Sequence, residues 1–264
     1  MVLTTKHDAL AASMSPVVAT LRDLATRHGE KTVRGLAPTL VVDDPTGWIP
    51  ASDLIGGAGL ANFLAAAEQR WKAQPHVAAA LAWKCYSYWL ALPALIGYAG
   101  ARRVPLPALD DVLVRYSEHQ PFLRLALRRP FVAVLESDPL AAGRRPGVLV
   151  QQDDAALLRE LKRALVDDHL EALMAGIRER VHVGRRTLWG SLASGVAHAL
   201  YRAADSVPGP ILPLIDEVLA ALGVDDLVDI TTDPATGGLH IARRTCCLAF
   251  TLPEPKVCKG CCIR

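Results

Sequence analysis

The stretch HVAAALAWKCYSYWLALPALIGYAGA, residues 76–101, constrains the fold more than any other part of the chain. A run this long and this apolar has to be hidden from water, in a bilayer or at the centre of a protein core. Lys84 and Pro93 interrupt it, and the uncharged part from Cys85 to Ala101 is shorter than the roughly 20 apolar residues that a membrane-spanning helix requires. The reading is a buried helix around which other elements pack, with Pro93 kinking or ending it.

Helical spacing dominates elsewhere too. Leu158, Leu161 and Leu165, then Leu170, Leu173, Ile177 and Val181 recur at three- and four-residue steps, behind Asp153 and Asp154 where helix-starting residues belong. Another helix is predicted from Thr187 to about Ala204, in which Gly190, Ser191, Ser194 and Gly195 would let a neighbour approach closely. Earlier helices are expected at 9–28 and 57–72. Runs of β character are fewer: 39–43, 131–136, and a pair within LVDITTDPATGGLHIARR, where Asp233-Pro234 and Gly237-Gly238 signal a hairpin leading straight into Cys246. Segments 102–111 and 141–147 read as loops. The fold class is α+β: a predominantly α-helical body over 1–225 with a few short strands, then a small C-terminal hairpin-and-loop module over 226–264.

That module carries the chemistry. Five of the six cysteines lie between 246 and 262, in a chain whose 264 residues, about half apolar, can bury a core without disulfides. Cys246 and Cys247 are adjacent, ten residues separate Cys247 from Cys258, and two separate Cys258 from Cys261. A CxxC pair presents two thiolates from one tight turn, and Gly260 would give that turn its backbone freedom. Adjacent cysteines in an extended chain point to opposite faces, so the backbone at 246–247 has to bend for both to reach one centre. From spacing alone, a zinc ion and a two-iron, two-sulfur cluster stand level, with vicinal-dithiol chemistry third. Cys262 has no assigned role, and Cys85 reads as a buried thiol.

The net charge of +2 is too small to argue for nucleic acid or an anionic membrane as main partner. The N-terminus, with Lys6, His7 and Asp8 ahead of a broken apolar run, makes a poor secretory signal, so the expected compartment is the reducing cytosol. Around the cysteines the charge is local: Arg243, Arg244, Lys256, Lys259 and Arg264 face the single acid Glu254. No dinucleotide fingerprint, P-loop, HExxH or GxSxG is present, so electrons for any redox reaction would come from a separate donor. His240 reads as a surface histidine of the hairpin.

RRTCCLAFTLPEPKVCKGCC resembles the C-terminal signature of the FhuF-like ferric siderophore reductases, and GRRTLWGSLASGVAHAL (184–200) and TTDPATGGLHIARR resemble what precedes it there. The resemblance is carried by the C-terminal third of the chain. It implies that Cys246, Cys247, Cys258 and Cys261 hold a 2Fe-2S cluster, and that no catalytic residue beyond the cluster is needed. It further implies one-electron reduction of Fe(III) in a siderophore, often of the hydroxamate type, releasing Fe(II) in the cytoplasm. An external electron donor and a peripheral association with the inner face of the membrane or a siderophore importer follow from the same likeness. Arg243 and Arg244, with Trp189 and the pair Arg185-Arg186, are the candidates for contact with the chelate, in a groove between helical body and cysteine module. The competing readings are a 2Fe-2S electron carrier or redox sensor that does not touch siderophores, and a structural zinc module on a helical protein.

Overall fold

The structure, a computed structural model, describes residues 13–143, 145–258 and 260–263. Residues 9–12 of the first expected helix, Lys6, His7 and Asp8, and the basic residues Lys259 and Arg264 lie outside the described residues. Helices α1 (Ser15–His28), α2 (Gly57–Trp71) and α3 (Pro75–Ala101) come first. Then α4 (Asp154–Lys162) runs through a π-helical stretch, Arg163–Leu170, into α5 (Glu171–Arg180), and α6 (Arg185–Arg202) and α7 (Ile211–Leu222) follow. Asp153 caps α4 as its position in the sequence suggests, its Oδ1 accepting the amide of Ala156 at 2.7 Å.

The apolar run is α3, and it is the axis of the molecule: α6 packs along it, with α1 and α2 on its other sides. No helix among the described residues is long and apolar enough to cross a membrane. Pro93 does not end α3, because the helix continues to Ala101. A proline costs the helix interior about 3 kcal/mol, and burial of Leu92, Ala94, Leu95, Ile96, Tyr98 and Ala99 around it outweighs that. Trp83 ties α3 to α6, its indole N–H donating to the carbonyl of Leu188 at 2.7 Å while its ring meets Trp189 edge-on.

Nine strands form three small sheets among the described residues. The first joins β1 (Leu36–Val41), β2 (Ile49–Pro50), β4 (Val112–Tyr116) and β5 (Leu123–Leu127) in the order β1-β5-β4-β2. The second joins β3 (Arg103–Leu106), β6 (Phe131–Leu135) and β7 (Val148–Gln151). The loop expected at 102–111 is therefore half strand: β3 pairs antiparallel with β6 from Arg103↔Val134 to Leu106↔Phe131. Pro105 is tolerated because β3 is an edge strand.

The third sheet is the expected hairpin, β8 (Val228–Thr232) against β9 (Leu239–Arg243), in register from Val228↔Arg243 to Thr232↔Leu239. Asp233 closes its turn, taking the amide of Ala235 at 2.9 Å and the hydroxyl of Thr236 at 2.8 Å, and Gly237 supplies a φ of +69°. Beyond β9 the chain does not trail away. Cys247, Ala249 and Leu252 bury themselves against Val77 and Leu81, a second small apolar cluster that seats the cysteine segment on the first turns of α3.

Candidate metal centre and adjoining cavity

Two glycines let the segment seat where it does. A Cβ on Gly190 of α6 would lie 1.9 Å from Oγ1 of Thr245, so only glycine admits the residue just before the cysteines. Gly260, inside the CxxC, is pressed against β9: a Cβ there would lie 1.9 Å from the carbonyl oxygen of Ile241, and its own carbonyl accepts the amide of Arg243 at 2.9 Å. Close approach, not a left-handed turn, is what demands glycine at this position. The two cysteine pairs are thus fastened to one strand, β9, which runs into the first pair and holds the second from the side.

The bend required at the adjacent pair lies one residue on. Leu248 has φ +64°, a left-handed conformation that costs a branched residue about 1–2 kcal/mol, and a short helical turn follows at Ala249–Thr251. The amide of Lys256 then donates to the carbonyl of Ala249 at 3.0 Å, returning the chain so that Cys258 meets Cys247. Their sulfurs are 3.3 Å apart. Hydrogen bonding from Cys258 holds the Cys247 thiol well below the usual thiol range, with help from Lys84 and Arg243, and the same contact pushes Cys258 up. Cys246 sits beside them with its Sγ accepting the amide of Leu248 at 3.2 Å; burial raises its pKa, and Cys247, Cys262 and Cys261 add to the rise. Among the described residues no three His, Cys, Asp or Glu side chains are drawn close enough to hold a metal ion as they stand. The structure closes one pair, Cys247–Cys258, and leaves Cys246 and Cys261 beside it.

Two cations attend this pair. Lys84 of α3 points its Nζ at Cys258 Sγ from 3.8 Å. Arg243 is only 4 % exposed; its Nη2 donates to Ser191 Oγ at 2.9 Å and to Thr245 Oγ1 at 3.4 Å, while Nε and Nη1 have no hydrogen-bond partner. A buried guanidinium without an anion is costly, so this one requires negative charge nearby. Clustered thiolates, or an iron–sulfur group held by them, would provide it. The four-thiol donor set and the unpaired cation therefore fit a cluster, in which thiolate ligation is usual.

Cys258 also opens onto a cavity of about 770 Å³, within the range of small-molecule sites. One wall is a stripe on α3 (Leu81, Lys84, Cys85, Tyr88, Trp89) and the facing wall is a stripe on α6 (Ser191, Ser194, Gly195, His198, Arg202). Arg34, the end of α2 at Arg70 and Trp71, the turn at 120–123, β9, and Lys256 with Cys258 complete it. Aromatic rings and cations line it together, and among the described residues no Asp or Glu does. None of Arg34, Arg70, Lys84, Arg202, Arg243 and Lys256 is paired with a carboxylate among the described residues.

The residues singled out from the sequence divide. Arg243 and His240 line the cavity, and so does Cys85, half-buried, its thiol pushed up to about 11 by burial. Arg244 does not; it pairs with Asp229 at 2.5 Å. Arg185 pairs with Glu171, Arg186 with Asp226 at 3.0 Å, and Trp189 is buried core. Cys262 is exposed. The cavity residues Arg34, Arg70, Lys84, Arg202 and Lys256 escape a motif reading. Part of the signal was there: positions 81, 84, 85, 88 and 89, and 191, 194, 195, 198 and 202, each follow helical spacing.

A family model described as ferric iron reductase FhuF-like transporter matches residues 81–223. The match takes in α3 and α6, the two cavity walls, and ends before the cysteines. No curated protein matches the sequence. Among solved structures, the ATP-bound form of aerobactin synthetase IucA from Klebsiella pneumoniae superposes with a TM-score of 0.52 at 15% identity, over 78% of this chain and 43% of that one. A second structure of IucA from the same organism gives a TM-score of 0.52 at 15% identity, over 88% of this chain and 49% of the other. The chain thus spans less than half the length of either, and the likeness is one of fold.

Proposed function

The chain belongs to the ferric iron reductase FhuF-like family, and from that premise we propose that it is a ferric-siderophore reductase acting in the cytoplasm. Its cofactor is a 2Fe-2S cluster on Cys246, Cys247, Cys258 and Cys261, and its substrates are Fe(III) chelates of the hydroxamate type. The observation that carries this is the juxtaposition of the thiol segment with a cavity of chelate size, with Cys258 lining both.

When bound, the cluster supplies a single electron to iron(III), which no side chain of this chain can do. The protein's own part is placement. Lys84 and Arg243 stand at the thiols and hold negative charge there. Trp71, Tyr88, Trp89 and Phe122 give the cavity an apolar surface for the organic part of a chelate, and the cations fix its oxygen-rich part. One electron from an external donor protein ends on Fe(III), which becomes Fe(II). Hard oxygen donors hold Fe(II) loosely, so the metal leaves and the freed arms take up protons from water.

The test is anaerobic purification followed by optical and EPR spectra of the wild type, Cys258→Ser and Cys262→Ser. The reading expects a coloured protein whose spectrum is lost or strongly changed in Cys258→Ser and kept in Cys262→Ser. A colourless, zinc-loaded wild type would sink it.

A further inference from the structure

We propose that the cavity selects ferric chelates by charge, preferring complexes of net negative charge over uncharged tris-hydroxamate complexes; the inference rests on the reductase reading above. Three singly charged hydroxamates neutralise Fe(III). An α-hydroxycarboxylate arm in place of one hydroxamate, or an added free carboxylate, leaves the complex anionic.

Among the described residues six cations face the cavity, and no acid does. The thiols account for two of them. Lys84 and Arg243 sit where thiolates would neutralise them. Arg34, Arg70, Arg202 and Lys256 come from separate elements and are left over. Two of these are fixed without being neutralised: Arg34 Nη1 donates to Gln120 Oε1 at 3.4 Å, and Arg202 Nη1 to Tyr88 Oη at 3.0 Å. Several arginines outside the cavity do pair with acids, as at Arg103–Asp138 (2.6 Å), Arg186–Asp226 (3.0 Å) and Arg244–Asp229 (2.5 Å). Leaving four unpaired around one concave, partly apolar surface focuses positive potential into it. A neutral chelate gains nothing from that field, whereas an anionic one gains from every charge within reach.

The test uses redox-inert gallium(III) complexes, so that binding is read apart from reduction. A neutral tris-hydroxamate complex and an anionic complex with two hydroxamates and one citrate-type arm, of similar size, are titrated into the purified protein by calorimetry at low and high salt. The anionic complex should bind at least about tenfold tighter at low salt, the gap narrowing as salt screens the cations. Arg34→Gln and Lys256→Gln, both at exposed positions that do not threaten folding, should each weaken the anionic complex about fivefold and leave the neutral one unchanged. Arg178→Gln, an equal change in net charge remote from the cavity, should alter neither. Equal affinity for the two complexes, or variants that weaken both alike, would overturn charge selection and leave the reductase reading standing. Binding of neither complex would overturn both.

Discussion

Acid should destabilise this protein through His169 in a way that can be worked out beforehand. His169 lies in the π-helical stretch after α4 and is wholly buried. Its Nδ1 meets the carbonyl oxygen of Pro107 at 2.6 Å, so that nitrogen carries the proton, and its Nε2 accepts from the hydroxyl of Tyr86 at 2.6 Å. Burial holds its pKa down at about 4, against 6.5 for a free histidine, and the bond to Pro107 offsets only part of that. Because the unfolded chain takes up the proton first, stability is fully present above pH 6.5 and is lost as the pH falls towards 4. The loss approaches about 1.4 kcal/mol per pH unit within that window and totals about 3 kcal/mol. Urea unfolding at a series of pH values should show this slope in the wild type. In His169→Gln it should be missing, on a baseline lowered by about 1–3 kcal/mol for the lost Pro107 bond. Taking the difference between the two proteins cancels the carboxylates they share. Parallel curves for wild type and variant would refute the reasoning.

Other perturbations follow from the packing. Gly190→Ala drives a methyl into Thr245 and should cost about 2–4 kcal/mol in thermal or urea unfolding, with poorer cluster occupancy by iron analysis. Trp83→Phe leaves the Leu188 carbonyl without its donor and opens a gap beside Trp189, for about 2–3 kcal/mol in the same assay. Lys84→Met removes the cation facing Cys258, so an EPR-monitored redox titration should show a midpoint lower by on the order of 50 mV.

How much of this was legible in the sequence depended on whether the signal was local. Residues 76–101 announce a buried helix because apolarity alone decides it, and Asp233 with Gly237 announces a turn because those residues carry its geometry. Strands β4 and β5 were not legible: VLVRY and LRLAL lack the clean alternation of a half-exposed strand, since they lie in the middle of their sheet with mostly buried residues. The need for glycine at 260 is not legible locally, because it arises from Ile241, nineteen positions earlier in the chain. The cavity shows the limit most clearly. Its lining runs from Arg34 to Gly260, and only packing of α3 on α6 makes neighbours of them.

The central claim is that the cysteine segment and the cavity act together on iron. The most direct measurement is a single anaerobic turnover: the protein is reduced, freed of excess reductant and mixed with a ferric chelate in the presence of a ferrous-specific dye. Fe(II) is expected in one-to-one proportion to the electrons stored, with none from Cys258→Ser. A reduced, cluster-containing wild type that stays reduced while the chelate keeps its Fe(III) would contradict it.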